Sequence, residues 1–200
     1  MELNERVGLR LRHLREDRGL SLSALARQSG AGKATLSELE AGRRNPTLET
    51  LYALTTALGV PLSAVLTDED GTPHGSAAPG GVPLSAVLTP GVARAGISGE
   101  AVTAVLTERF EDAAAVTDVF RIRIRAGAVQ VSAAHIPGTA EDLLVLGGIA
   151  VVGDPADPLT AGPGGHAHWT ADRPHLYSAP HGDVEAVLFV RYPLDATGTG

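Results

Sequence analysis

The feature that most constrains this chain is segment 21–45, SLSALARQSGAGKATLSELEAGRRN, where two short apolar stripes flank a glycine-rich break. Leu22, Leu25 and Ala26 recur at helical spacing, and so do Leu36 and Leu39. Between them, Ser29-Gly30-Ala31-Gly32 interrupts the helix with glycines that accept positive φ without strain. Gly42 closes the second stripe. The spacing predicts two short helices joined by a tight turn. With Leu36 and Leu39 inward, a 3.6-residue period leaves Lys33, Ala34, Ser37 and Glu38 on the exposed face. Two readings stand at this point: a helical hairpin inside another bundle, or a helix-turn-helix whose second helix enters the major groove of DNA.

The flanking chain extends the helical pattern. Residues 4–18 form an amphipathic helix with Val7, Leu11 and Leu14 on one face, ended by Gly19. Arg43-Arg44-Asn45 falls in the loop after the second short helix, where basic side chains either hold phosphates or face solvent. Thr47 is the expected N-cap of a fourth helix that buries Leu48, Leu51, Leu54 and Leu58 and stops at Gly59. Residues 61–66 make a short fifth helix, with Pro61 in its permitted first turn.

Taken together, residues 7–66 resemble the lambda-repressor-like, XRE-type DNA-binding domain. The match rests on Gly30, the run 33–40, Gly42, Asn45-Pro46 and Leu58-Gly59-Val60. It implies a five-helix fold, a double-stranded DNA operator as partner, and an Arg15–Glu40 ion pair between the first and third helices. The implied DNA-contacting set is Gly32, Lys33, Ala34, Thr35, Ser37, Glu38, Arg43, Arg44 and Asn45. Two positions depart from the family. Gly32 stands where Ser or Thr usually caps the recognition helix, a weaker cap. Glu38 stands where many members carry a basic or amide base-reader, and an acid there can accept a hydrogen bond from cytosine N4.

The charge distribution agrees with a divided chain. The net charge of −7 is uneven: residues 1–66 hold nine Lys/Arg against seven Asp/Glu, and the remainder holds seven against sixteen. With no run of 18 apolar residues and no leader-like N-terminus, the expectation is a soluble, cytoplasmic protein with no membrane partner. Zero cysteines exclude disulfides and thiolate metal sites.

Residues 68–100 read as a linker rich in Gly, Pro and Ser. It contains a second copy of GVPLSAVLT, at 81–89, identical to residues 59–67 and best explained as a local duplication. From residue 101 the period changes. Runs at 102–110, 116–125, 129–133, 143–152, 166–170, 176–178 and 184–192 are short and β-rich, with Gly147-Gly148 expected as a hairpin turn. Many short strands without intervening helices mean a sandwich or barrel. The fold expected is therefore α+β multidomain: a helix-turn-helix domain over 1–67 and a β-barrel over 101–195.

Within that barrel, AAHIPGTAEDLLVLGGIAVVG and TAGPGGHAHWTADRPHLYSAP are similar to the two sequence motifs of the cupin, the double-stranded β-helix. Carried over, the metal-ligand positions fall on Ala133, His135, Glu141 and His175, so one ligand is missing. The resemblance implies either a metal-free pocket or one divalent ion held by His135, Glu141 and His175. His166 and His168, at i and i+2 on a strand, share a face and join the candidate effector-binding set with those three. Trp169 and Tyr177 are expected in the barrel core. An XRE-type domain followed by a cupin resembles a group of bacterial transcriptional regulators. That implies a homodimer whose barrel senses a small-molecule effector, with no catalytic residues. Two other readings are a metal-dependent cupin dioxygenase or isomerase tethered to DNA, and an antitoxin-like autorepressor that grips a protein.

Overall fold

The computed structural model describes residues 3–67 and 97–194, so the second copy of GVPLSAVLT and most of the expected linker lie outside the described residues. Five helices come first: α1 (Leu3–Asp17), α2 (Leu22–Ser29), α3 (Lys33–Glu40), α4 (Leu48–Leu58) and α5 (Ser63–Leu66). Their ends follow local chemistry. The Ser21 and Thr47 hydroxyls accept the Ala24 and Thr50 amides as N-caps, while Gly30 and Gly59 close α2 and α4 in the left-handed conformation. Gly32 precedes α3 with no side-chain cap bond.

The expected apolar positions form the helical core, with Leu11, Leu25, Leu36, Leu51 and Leu54 fully buried. Gly8 sets the crossing of α1 over α3, because a Cβ there would stand 2.1 Å from the Leu39 carbonyl oxygen. Among the described residues, no helix is long and apolar enough to cross a membrane.

Ten antiparallel strands follow: β1 (Ile97–Ser98), β2 (Val102–Glu111), β3 (Ala115–Ile124), β4 (Val129–Ser132), β5 (Ala140–Gly147), β6 (Ala150–Asp154), β7 (Asp157–Ala161), β8 (His166–Thr170), β9 (His175–Ser178) and β10 (Val184–Pro193). They make a six-stranded sheet, β1-β2-β3-β10-β5-β8, and a four-stranded sheet, β4-β9-β6-β7. The inward residues of β3, β5 and β10, among them Phe120, Ile122, Leu143, Val145, Leu188 and Val190, fill the space between. This is the cupin arrangement, an antiparallel barrel placed after the helical domain.

Three expectations change. Gly147-Gly148 is no hairpin turn: β5 pairs with β10 and β8, whereas β6 pairs with β7 and β9, so the glycines carry the chain from one sheet to the other. Gly148 has φ 83°, and a Cβ on it would meet the Asp183 carbonyl oxygen at 2.4 Å. β7 was not anticipated, because Pro158 argues against a strand interior; it is tolerated on the edge of the smaller sheet. The barrel also begins before residue 101, since Ile97 pairs with Ala104 and is buried.

The helical domain sits directly against the barrel. The Glu49 carboxylate accepts the Glu100 amide at 2.7 Å, Thr56 Oγ1 reaches the Ala134 carbonyl at 3.5 Å, and the Ser63 amide donates to Asp118 at 3.0 Å. Arg109, on β2, donates to the Ser63 hydroxyl at 2.7 Å. Buried apolar side chains of both parts join one continuous core.

Candidate functional site

His135 lies in the connection from β4 to β5, Glu141 on β5, and His175 at the start of β9. A backbone bond from the His135 amide to the Ala171 carbonyl, 2.9 Å, ties that connection to the chain entering β9. The three side chains converge: their ligand atoms lie within 4.8 Å of one another, and the residues are 4%, 0% and 0% exposed. His135 Nε2 is 3.0 Å from Glu141 Oε1, and His175 Nε2 is 3.4 Å from Glu141 Oε2. Tyr177, two residues beyond His175 and on the same strand face, donates its hydroxyl to Glu141 Oε2.

The surroundings act on the Glu141 carboxyl and the Tyr177 hydroxyl in opposite directions. Burial alone would raise the Glu141 carboxyl, but the nearby His175, the His135 hydrogen bond and the Tyr177 donor outweigh it and hold it below the ordinary carboxylate range. Burial and then the Glu141 charge push the Tyr177 hydroxyl well above its usual range, so it stays a donor. His175 Nδ1 sits 2.9 Å from the Arg173 carbonyl, which can only accept, so Nδ1 carries a proton. In the neutral ring, Nε2 then presents a lone pair inward, without a hydrogen bond although Glu141 Oε2 lies 3.4 Å away.

These features fit a divalent metal ion. Two imidazoles and a carboxylate converge, and one histidine is oriented by a carbonyl on its far nitrogen, as metal-bound histidines are. Ala133, where the resemblance expects a further ligand, is exposed and outside the cluster.

Aromatic rings surround the two histidines. Trp169 and Tyr177 lie 6.4 and 5.6 Å from the His175 ring, and Tyr192 lies 6.5 Å from His135. Trp169 and Tyr177 are thus buried, as expected, and also line the site. The remaining tyrosine comes from elsewhere: Tyr52, on α4, stacks on His135 with centroids 4.2 Å apart and planes at 29°. The sequence reading missed it. Its only local sign is a position on α4 beside the Leu51–Leu54–Leu58 stripe rather than in it.

His166 and His168 do share a face, but it is the outer one. β8 buries Ala167 and Trp169 and exposes both histidines, each within 3.0 Å of Asp142 Oδ1. They are not brought together with His135, Glu141 and His175, because strand parity turns them away from the barrel interior.

On the helical domain, α3 exposes Lys33, Ala34 and Glu38, with Thr35 and Ser37 half-buried and Leu36 and Leu39 inward. Gly32, Arg43, Arg44 and Asn45 are exposed beside it, and Arg44 lies 3.6 Å from Glu38. The Arg15–Glu40 pair forms as expected, with Nε to Oε1 at 2.7 Å.

Known proteins resemble the chain over its helical part or along nearly its whole length. The helix-turn-helix domain family matches residues 6–68. The uncharacterised HTH-type transcriptional regulator y4dJ of Sinorhizobium fredii is 42% identical over 76 residues, 38% of this chain and 99% of that protein. The chain belongs to the XRE-type helix-turn-helix transcriptional regulators. HTH-type transcriptional regulator SutR of Escherichia coli is 29% identical to this regulator over 187 residues, covering 92% of this chain and 93% of SutR. The crystal structure of an HTH_3 family transcriptional regulator from Vibrio cholerae shares the regulator's two-part fold, with a TM-score of 0.72, 24% identity, and coverage of 96% and 97% of the two chains.

Proposed function

We propose that this regulator binds duplex operator DNA as a homodimer and that its barrel senses a small effector, held with or through a divalent ion by His135, Glu141 and His175. The observation that carries this reading is the buried cluster itself. A carboxylate and two imidazoles, one with an unpartnered inward nitrogen, are costly to bury in a barrel that only needs a core. When bound, an ion there would supply a Lewis-acidic anchor for oxygen or nitrogen donors of an effector. We read the barrel as a sensor rather than a catalyst, because the similar full-length protein is named as a regulator.

The DNA-facing surface follows from α3. Lys33, Ala34, Ser37 and Glu38 would meet base edges, Gly32 and Thr35 would lie at the helix entry, and Arg43, Arg44 and Asn45 would hold phosphates. Paired barrels would set two recognition helices about one DNA turn apart. An effector changes DNA affinity only through its differential affinity for the arrangements that do and do not fit both half-sites.

The test compares the wild-type chain with a Glu141→Gln, His175→Ala double variant. Operator sequence comes first, by selection from random duplexes; metal content and operator affinity are then measured on both forms. The expected result is loss of bound metal and of effector response, with operator affinity retained. A variant that keeps both its metal and its response would overturn the reading.

A further inference from the structure

We propose that the barrel site is completed by the DNA-binding domain: Tyr52 of α4 closes the end at which His135, Glu141 and His175 meet. This deepens the sensor reading and rests on it for what the site binds. The placement of the helical domain stands on geometry alone.

α4 carries two working faces. Leu51, Leu54 and Leu58 face the helical core, whereas Glu49, Tyr52 and Thr56, at i, i+3 and i+7, face the barrel. The stripe meets two segments of the barrel, the chain before β2 and the connection from β4 to β5. Glu49 takes the Glu100 amide before β2, Tyr52 covers the His135 ring, and Thr56 reaches the Ala134 carbonyl next to it. Tyr52 and His135 are 7% and 4% exposed and stack ring on ring, so each covers a face of the other across the domain boundary.

Other contacts across this boundary include hydrogen bonds of Ser63 with Asp118 and Arg109, beside the apolar core that both parts share. Water can replace hydrogen bonds of this kind when the surfaces part. The plug is therefore an aromatic ring held in place by polar contacts and by the apolar core that both parts share. A divalent ion or effector entering at this end has to move α4, the helix that follows the recognition helix and its Arg43-Arg44 loop. Occupancy of the barrel and placement of the DNA-binding surface then form a single equilibrium, with reciprocal effects on each other.

Histidine labelling with diethylpyrocarbonate, read by peptide mass spectrometry, tests this on the full chain. In the wild type, His135 and His175 should be slow and the exposed His166 and His168 fast. In Tyr52→Ala, and in Thr56→Glu, which sets a carboxylate against the Ala134 carbonyl, His135 and His175 should react about tenfold faster, as expected when a local closure is lost. His166 and His168 should not change. If Tyr52→Ala loses helical content by circular dichroism, Thr56→Glu decides alone. Unchanged His135 and His175 rates in the folded variants would overturn the proposal. Co²⁺ uptake, followed by its absorption, separates the two claims. If no form takes up Co²⁺, the ion reading fails while the labelling result still decides whether Tyr52 closes the site.

Discussion

Arg15 and Glu40 meet as a two-pronged pair, Nε to Oε1 at 2.7 Å and Nη2 to Oε2 at 2.8 Å, with both side chains less than a tenth exposed. Arg15 also donates to the Leu20 carbonyl at 2.8 Å, so one guanidinium joins α1, the α1–α2 turn and α3. Arg15→Ala strands a buried carboxylate and should destabilise the chain by about 3–5 kcal/mol. Replacing both partners together, with Arg15→Met and Glu40→Leu, should recover most of that loss. Urea unfolding of the two variants beside the wild type checks it; equal destabilisation by the single and double changes would show that packing, not charge, matters.

Gly8 offers a sharper steric test. Its missing Cβ would stand 2.1 Å from the Leu39 carbonyl oxygen, a backbone atom that cannot swing aside. Gly8→Ala should therefore force α1 away from α3 and cost about 1–3 kcal/mol or more. A thermal midpoint equal to the wild type would exclude so close a crossing.

Glu38 and Arg44 set the electrostatics of the DNA-facing surface, 3.6 Å apart and both about half exposed. Arg44→Ala should weaken binding to all duplexes alike and lower the magnitude of the salt slope by ~0.9. Glu38→Gln removes a competing anion from Arg44, so general affinity should rise. Lys33 and Ser37 substitutions should instead change which sequence is preferred. Fluorescence anisotropy across a salt series measures all four, and an Arg44→Ala protein with wild-type affinity would exclude the phosphate role.

Asp118 gives the pH dependence. Burial raises its carboxyl from 3.8 to about 6, and the hydrogen bonds from Ser63 and the charge of Arg109 pull it back only part-way. Asp118 Oδ1 is buried without a partner. Folding thus favours the protonated form: this contribution is fully present below pH 3.8 and is lost as pH rises through about 6. Asp118→Asn should flatten that part of the profile and stabilise the chain at pH 7.5, by on the order of 1–3 kcal/mol. Unfolding free energies measured from pH 4.5 to 7.5 would reveal it, and parallel profiles for the two proteins would exclude it.

What the sequence disclosed and what it hid divide along contact range. The helical domain was legible because its signals are local: Ser21 and Thr47 cap within three residues, and Gly30 and Gly59 stop helices where they stand. His135, Glu141 and His175 were legible because two motifs bring them together. Gly147-Gly148 misled because a glycine pair looks alike in a hairpin and in a crossover, and only the partners of β5 and β6 tell them apart. His166 and His168 were correctly put on one face, but which face depends on the parity of the whole strand. Tyr52 was invisible, since its partner lies 83 residues away in another domain and no periodicity within α4 reports it.

The double-faced α4 also bears on how this protein comes apart. A helix that gives Leu51, Leu54 and Leu58 to the helical side of the shared core and Tyr52 to the barrel side cannot melt with only one of them. The helical and β parts are therefore expected to unfold as one cooperative unit, with calorimetric and van't Hoff enthalpies in agreement. A fragment ending at residue 67 would leave the Tyr52 ring and the Ser63 amide facing water, so either half cut free gives up stability that belongs to neither half alone.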